Sequence, residues 1–314
     1  MSKKTLIDMV NSLKKENFNF NFFEVETIGD YLPEDSDWNY KDVAHAEYVH
    51  SNVSSYQAFT LDDMAASVNQ QKLPFIGMSI PVVTINYEIS KFNQMYFFSI
   101  GPFVVIVNTI SAKIDLDKTK VKTSYAVGSK GLFKYLHKII GKILLKNYKL
   151  LMTEDAPMRI RKGELRKSGH KFYSDKKSSF KFSAQINRAN VYLNKNEETE
   201  ISIKKSTFLT LKHGDTIGKS SGILSFFITE EDNLKKIWPT TCSHEGALLS
   251  SKCIKKSKIF CPWHNKVVNP IIIIDKEEKN LFKILPCADY KITDDNEIIK
   301  IKFRNDPEYY NKNY

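Results

Sequence analysis

The stretch Cys242-Ser-His-Glu-Gly-Ala-Leu-Leu249 and the shorter stretch Cys261-Pro-Trp-His264 are the most informative parts of this 314-residue chain. Each stretch offers one cysteine and one histidine. The spacings Cys-x-His and Cys-x-x-His place both side chains of a pair on one tight loop. Gly246 follows the first pair, where a turn must pass close to a bound group. We therefore expect two loops that together present two thiolates and two imidazoles.

Two thiolates and two imidazoles form the ligand set of a [2Fe–2S] cluster in which two histidines replace two cysteines on one iron. Such a cluster transfers single electrons at moderate potential. A zinc site is the alternative, but zinc sites commonly use Cys-x2–4-Cys and His-x3–5-His pairs. Cys253 and Cys287 fall outside the pattern and are expected to be buried or free thiols. The predicted cluster ligands are Cys242, His244, Cys261 and His264.

Both loops resemble those of Rieske proteins of the ring-hydroxylating oxygenase type. They lack the additional cysteine pair that cross-links the loops in respiratory-chain Rieske proteins, because Ala247 and Trp263 occupy those positions. One difference is Asn265, where the family usually has glycine. The resemblance implies a Rieske-type [2Fe–2S] cluster that a ferredoxin or an NAD(P)H-dependent reductase supplies with electrons.

A second motif, Asp42-Val-Ala-His45-Ala-Glu-Tyr-Val-His50, lies in the first half of the chain. Ferrous enzymes that activate O2 bind iron through two histidines and one carboxylate on one face. On an ideal helix, residues five apart point ~140° away from each other. His45 and His50 can therefore share a metal only if the segment is distorted or ends between them. Asp42, one turn earlier, could accept a hydrogen bond from the ring of His45.

The spacing Asp-x-x-His-x4-His is similar to a motif of Rieske oxygenases. By this resemblance, His45 and His50 bind a mononuclear Fe(II), and electrons reach that iron from the cluster through Asp42. The partner of Asp42 would be His264. In the family this bridge joins neighbouring subunits, usually in a trimer, so a homotrimer is suggested by the resemblance alone.

The third iron ligand is expected to be Asp155. It follows Tyr148 and Leu151 at helical spacing, so it shares the apolar face of a predicted long helix. A carboxylate on such a face needs a partner, and a metal ion is one. Glu154 is the competing ligand. Pro157 is expected to kink or end the helix, which leaves open that Asp155 caps a following helix instead.

Strand and helix patterns divide the chain into residues 1–183 and 184–314. The first part contains several strand patterns and a predicted helix from about Gly131 to Glu154. The second part contains short strand patterns, among them Thr207–Leu211 and Ile223–Ile228. Strands with one long C-terminal helix resemble the helix-grip fold of the START/Bet v 1 type, which is the fold of the catalytic domain of Rieske oxygenases.

The expected fold class is therefore α+β. A helix-grip domain with the mononuclear iron site comes first, and an all-β Rieske [2Fe–2S] domain follows. This order is the reverse of the usual one in the family. The helix-grip domain is also expected to hold an apolar pocket between its strands and its long helix.

Composition sets limits on location and partners. The formal net charge is +11, with a dense basic stretch from Arg159 to Lys181, but no nucleic-acid motif accompanies it. A solvated basic surface is the favoured interpretation, and docking of an acidic electron donor is the alternative. Four cysteines give no disulfide framework, which indicates a cytoplasmic setting. We expect no signal peptide, because the N-terminal sequence lacks a long apolar core and a small-residue cleavage site. We expect no membrane span, because the apolar run Met95–Ile110 is short and contains polar residues.

The expected function is the oxidation of an apolar small molecule by O2, through hydroxylation, demethylation or desaturation. Two alternatives stay open. One is a Rieske electron-transfer protein fused to a non-catalytic domain that binds a lipid or another hydrophobic ligand. The other is a zinc protein without redox function. Iron in the mononuclear site separates the first alternative from an oxygenase.

Overall fold

The computed structural model describes residues 5–72, 79–176, 178–186, 189–194, 197–219 and 222–304. The chain divides into two compact units. The first consists of Met1–Gly163 and Lys177–Gln185, and the second of Glu164–Lys176 and Ile186–Tyr314. The boundary predicted after residue 183 lies near the end of the first unit, whereas the segment Glu164–Lys176 groups with the second.

A seven-stranded antiparallel sheet dominates the first unit, in the order β1-β7-β6-β5-β4-β3-β2. Neighbouring strands from β2 to β7 follow one another in the chain, and β1 pairs with β7. The apolar run that begins at Met95 forms two of these strands and no helix. The strands are β1 (Asn19–Gly29), β2 (Val53–Thr60), β3 (Met64–Lys72), β4 (Ser79–Ser90), β5 (Asn93–Ile100), β6 (Phe103–Asp115) and β7 (Lys118–Ser129).

Three helices precede the second strand. A capping box of Thr5 and Asp8 begins the first of them, which buries Val10 against the sheet. The second begins with Pro33 at its first turn, where the missing N–H costs nothing. They are α1 (Leu6–Lys14), α2 (Pro33–Lys41) and, after a 3-10 turn at Val43–His45, α3 (Ala46–Val49).

A long helix, α4 (His137–Lys167), packs its buried face on the sheet after a 3-10 segment at Gly131–Leu136. Leu144 and Tyr148 contact the apolar residues of β6 and β7. This arrangement confirms the α+β class and the helix-grip prediction for the first unit. The short helix α5 (Phe180–Ser183) completes that unit.

The prediction that the helix ends near Glu154 is wrong, because α4 continues through Pro157. Proline removes one hydrogen bond and crowds the preceding turn. Beyond it, however, Met158, Arg159 and Lys162 are fully buried, and their tertiary contacts hold the helix. Burial of Arg159 and Lys162 also removes two charges from the basic surface that the sequence predicts.

The helix start predicted near Gly131 is wrong, because the α-helix begins at His137, after the 3-10 segment. Leu132, Leu136 and Ile139 are exposed. The first two belong to the 3-10 segment, whose periodicity differs from that of the α-helix.

The described part of the second unit contains thirteen short strands. Its core joins apolar residues of two sheets, with the orders β10-β20-β19 and β11-β12-β13-β17-β18. A third sheet has the order β14-β15-β16. The strands are β8 (His170–Phe172), β9 (Val191–Leu193), β10 (Glu200–Lys204), β11 (Thr216–Gly218), β12 (Ser225–Glu231), β13 (Leu234–Pro239), β14 (Ile254–Lys255), β15 (Lys258–Phe260), β16 (Val267–Val268), β17 (Ile272–Asp275), β18 (Leu281–Ile284), β19 (Tyr290–Asp295) and β20 (Ile298–Phe303).

The prediction of a strand at Thr207–Leu211 is wrong, because this segment lies largely in a short helix, α6 (Lys205–Thr210). The ammonium group of Lys235 donates hydrogen bonds to the carbonyl oxygens of Leu209 and Leu211 at 2.5 and 2.6 Å. A cation that binds the last carbonyls stabilises a helix end. This tertiary contact overrides the weak strand propensity of the segment.

No helix within the described ranges is long and apolar enough to cross a membrane.

Candidate metal centres

The segment that carries the two histidines changes its backbone conformation between them. His45 ends a 3-10 turn, α3 follows for four residues, and His50 has an extended backbone with φ −87° and ψ 117°. The ring centroids of His45 and His50 lie 5.1 Å apart. The helix thus ends where the spacing of the motif requires it to end.

Asp155 approaches both histidines from α4. Its Oδ1 lies 3.3 Å from Nε2 of His45 and 3.6 Å from Nε2 of His50. The candidate ligand atoms of the three residues all lie within 4.8 Å of one another. His45 and Asp155 are each only 5% exposed. Two imidazoles and one carboxylate therefore converge on one point.

Hydrogen bonds fix the orientation of both rings. Nδ1 of His45 contacts the backbone oxygen of Asp42, and Nδ1 of His50 lies 3.1 Å from Oε2 of Glu154. When each Nδ1–H donates to its acceptor, Nε2 presents a lone pair to the centre. The Asp42 carboxylate is farther away, with Oδ2 at 3.9 Å from Nδ1 of His45. The carbonyl group of Asp42, and not the predicted carboxylate, is thus the closer acceptor.

The same contacts distinguish the two candidate carboxylates. Glu154 lies behind His50 and also accepts a hydrogen bond from the backbone N–H of Ser51 at 3.1 Å. Asp155 faces Nε2 of both histidines. In this geometry Asp155 is the ligand candidate, and Glu154 orients His50.

A buried arginine holds Asp155 from the other side. Nη2 of Arg159 lies 3.6 Å from Oδ2 of Asp155, and Arg159 donates two hydrogen bonds to Oδ1 of Asn39, at 2.9 and 2.6 Å. Burial opposes ionisation of Asp155, but its close contacts with His45, His50 and Arg159 lower its pKa to about 2. Asp155 is therefore a carboxylate at neutral pH.

Two atoms at this centre have no well-directed hydrogen bond among the described residues: Nε2 of His45 and Oδ1 of Asp155. These two atoms face each other at 3.3 Å, and buried polar atoms whose hydrogen bonds are poorly directed are costly. A divalent cation between them would satisfy both atoms. The donor set, two imidazoles and one carboxylate, fits ferrous iron with open positions.

A cavity of about 260 Å³ adjoins this centre in the first unit. All three candidate ligands line it, and so do aliphatic and aromatic residues of the sheet and of α4. Among the apolar lining residues are Phe98, Ile100, Val107, Ile143, Leu144, Leu151 and Met152. Sequence reasoning expected an apolar pocket here but did not identify its lining.

The same two backbone hydrogen bonds close each of the two ligand loops of the second unit. Cys242 N–H donates to the carbonyl of Ala247, and Gly246 N–H donates to the carbonyl of Cys242, both at 2.9 Å. In the other loop, Cys261 donates to Lys266 and Asn265 donates to Cys261, both at 2.8 Å.

Gly246 and Asn265 occupy equivalent positions in the two loops and have φ values of 86° and 54°. Asparagine adopts this left-handed conformation more readily than most residues. Asparagine at position 265, where the sequence comparison of the loops expected glycine, is therefore compatible with the loop conformation.

The four predicted cluster ligands are buried and form two pairs, one of histidines and one of cysteines. Nδ1 of His244 lies 3.2 Å from Nδ1 of His264. The thiol groups of Cys242 and Cys261 contact each other, and this hydrogen bond lowers the pKa of Cys242 to about 6. Each loop contributes one member to each pair. A nitrogen pair beside a sulfur pair fits a [2Fe–2S] cluster with two histidines on one iron and two cysteines on the other.

A single tetrahedral zinc ion would need all four ligand atoms within ~4 Å of one another, given metal–ligand distances of ~2.0–2.3 Å. Across the described ranges, only His45, His50 and Asp155 form a group of three or more such residues whose ligand atoms all lie within 4.8 Å. Cys242, His244, Cys261 and His264 do not form such a group.

The remaining described histidines have structural partners. Nε2 of His137 lies 2.7 Å from the hydroxyl of Ser129. His170 accepts a hydrogen bond from the backbone of Ile223, and His213 accepts one from the backbone of Glu230.

No protein-family model and no curated protein match this chain. Among solved structures, it is similar to a START superfamily protein from Mycobacterium smegmatis, with 9% identity and a TM-score of 0.38 over 45% of this chain and 97% of that chain. It is also similar to the Zhui aromatase/cyclase from Streptomyces sp. R1128, with 7% identity and a TM-score of 0.40 over 46% and 96%. The di-domain aromatase/cyclase BexL of the BE-7585A biosynthetic pathway has 9% identity and a TM-score of 0.38 over 90% and 85%.

Proposed function

We propose that this chain is a Rieske-type oxygenase that uses O2 and externally supplied electrons to oxidise a small, largely apolar molecule. The observation that carries the proposal is the convergence of His45, His50 and Asp155 beside a cavity of about 260 Å³. The paired cysteines and histidines of the second unit support it, because they match the ligand chemistry of a Rieske cluster.

When bound, a ferrous ion supplies open coordination positions for O2 and substrate, and a [2Fe–2S] cluster supplies electrons one at a time. The residues of the chain prepare these sites. His45 and His50 present Nε2 because the Asp42 carbonyl and the Glu154 carboxylate hold their Nδ1 protons. Arg159 balances the charge of Asp155 and fixes its direction.

The cavity supplies binding and exclusion of water. Phe98, Leu144 and Leu151 give it apolar walls, which favour a substrate with an apolar body. Asp42 is the proposed point of electron entry, because its carbonyl contacts the ring of His45. A ferredoxin or an NAD(P)H-dependent reductase is the proposed electron donor.

The ratio of iron to acid-labile sulfide in anaerobically purified protein tests this proposal. An oxygenase should contain about three iron ions per two sulfides, from one cluster and one mononuclear site. About two irons per two sulfides, unchanged after addition of ferrous iron, would refute the oxygenase and favour an electron carrier fused to a ligand-binding domain. A protein without iron and sulfide would refute both.

A further inference from the structure

The cavity of the first unit has a polar wall on β3 and β4. Ser67, Asn69 and Asn86 line it and are at most 7% exposed. Residues 65, 67 and 69 share one face of β3, because side chains alternate along a strand. Asn86 pairs with Ala65 on one side and with Tyr96 on the other. Tyr96 is therefore its direct neighbour and Ser67 its diagonal neighbour, whereas Asn69 pairs with Val82 farther along the sheet.

Several atoms of this wall have no hydrogen-bond partner among the described residues. They are Oγ of Ser67, Oδ1 of Asn69, Oδ1 of Asn86 and the hydroxyl oxygen of Tyr96. A buried polar atom without a partner destabilises the folded protein. Four such atoms around one cavity point to a polar group that belongs to the ligand.

We propose that the ligand of this cavity is an alcohol: an apolar body whose hydroxyl group binds at Asn86, beside Ser67 and Tyr96. The side-chain oxygen of Asn86 is an acceptor and requires a donor, which the single O–H of an alcohol supplies, and the alcohol oxygen also accepts from Ser67 or Tyr96. The apolar body lies against Phe98, Leu144 and Leu151. The identification of this alcohol as the substrate rests on the proposed function, whereas its binding does not.

Displacement of a fluorescent apolar dye by two matched probes tests the alcohol site. The probes are 2-decalol and decalin, which differ by one hydroxyl group. The wild-type protein should bind 2-decalol at least about tenfold more tightly than decalin. Asn86→Leu should abolish most of this preference, because leucine retains the volume but not the acceptor.

Gln70→Leu is the matched control, because Gln70 is exposed on the opposite face of β3. If a leucine variant loses cooperative thermal unfolding, Ser67→Ala replaces it and should reduce the same preference. Equal affinities of the wild-type protein for the two probes would overturn the alcohol site. A loss of preference in Gln70→Leu as large as in Asn86→Leu would do the same. Since dye displacement needs no turnover, this result is separate from the iron-to-sulfide ratio.

A different observation concerns the segment Lys130–Lys142, which we call the basic apolar segment. Five large apolar side chains are exposed within eight of its residues. Leu132 is 81% exposed and Tyr135 is 72% exposed. The other three are Phe133, Leu136 and Ile139. Exposed apolar groups of this density mark interaction surfaces.

The charges of this segment indicate what covers it. Lys130, Lys134, Lys138 and Lys142 are exposed around the apolar side chains. The sequence contains no aspartate or glutamate from Lys130 to Thr153. Apolar side chains among lysines are typical of segments that lie in the interface of an anionic membrane. A second copy of this segment would instead bring like charges together.

We propose that the basic apolar segment binds the surface of anionic membranes. Leu132, Tyr135 and Ile139 insert among the lipids, and the lysines contact the headgroups. No membrane-spanning helix is needed for such binding.

Sedimentation with vesicles tests the proposal. The protein should bind vesicles of phosphatidylcholine with phosphatidylserine, and bind vesicles of pure phosphatidylcholine at least about tenfold more weakly. High salt should weaken binding, because it screens the lysines. The double variant Leu132→Ser/Ile139→Ser should reduce binding at least about tenfold.

Leu116→Ser is the matched control, because Leu116 is 78% exposed in the turn between β6 and β7. It should bind vesicles like the wild-type protein. Equal binding to both kinds of vesicle would overturn the proposal. An equal loss of vesicle binding in Leu116→Ser and in the double variant would also overturn it. Self-association of the wild-type protein that disappears in the Leu132→Ser/Ile139→Ser variant would overturn it as well.

Discussion

The two candidate metal centres are built in different ways. In the second unit, all four ligands lie on two short loops, and each loop closes with its own backbone hydrogen bonds. In the first unit, His45 and His50 flank a single helical turn, but Asp155 comes from α4, after the strands β2–β7. The loop centre is thus defined by local structure, whereas the three-residue centre exists only when α4 packs on the sheet. This difference predicts different responses to substitution.

The largest effect is expected when the loop centre loses a ligand. Cys261→Ala should abolish acid-labile sulfide and the visible absorbance of the cluster, and it should lower the thermal unfolding temperature, because metal binding contributes to folding. Ferrous iron should still bind the first unit. Sulfide and iron analysis with calorimetry checks this. Cys253→Ala is the control, since Cys253 lies outside the ligand set; retention of sulfide in Cys261→Ala would contradict the assignment.

Loss of a histidine from the three-residue centre should abolish turnover and leave the cluster intact. In His45→Ala, the iron content should fall by about one ion per chain without a change in the cluster spectrum. Iron analysis, the absorbance spectrum and substrate-dependent O2 consumption measure this. His213→Ala changes an exposed histidine and should behave like the wild-type protein. Turnover that persists in His45→Ala would show that the site is misassigned.

A comparison of the two neighbouring carboxylates sharpens this assignment. Asp155→Asn removes a proposed ligand and should weaken binding of ferrous iron more than Glu154→Gln does. Glu154→Gln removes only the acceptor that orients His50 and should weaken binding by ~10–100-fold. Titration with ferrous iron under anaerobic conditions gives both affinities. The reverse order would make Glu154 the ligand.

The smallest effects are expected at the equivalent turn positions of the two loops. Gly246→Ala should destabilise the protein by ~1–3 kcal/mol, because alanine is strained at positive φ and its Cβ would overlap with the Leu165 side chain. Asn265→Gly should change stability by less than ~1 kcal/mol, because both residues accept this conformation. Urea unfolding measures both changes. Equal effects would mean that the two loops do not share one backbone geometry.

Some errors of prediction have specific physical causes. The helix that was expected to end near Glu154 continues because buried contacts of Met158 and Arg159 outweigh the defect at Pro157. The strand expected at Thr207–Leu211 is mostly helical because Lys235 binds the carbonyl groups at its end. The polar wall of the cavity was missed because Asn69 and Asn86 carry no pattern that distinguishes them from surface residues of a strand.

The sequence by itself determined the four candidate ligands of the loop centre and the two histidines of the other centre, because the loop ligands and the Asp-x-x-His-x4-His motif are spaced by local backbone geometry. It also determined the strand and long-helix pattern of the first unit, because side-chain periodicity follows from backbone repeat lengths. Only the tertiary structure decided that Asp155, rather than Glu154, faces both histidines and that the cavity has one polar wall. Those features depend on how α4 and the sheet pack, and such packing joins residues that are distant in the chain.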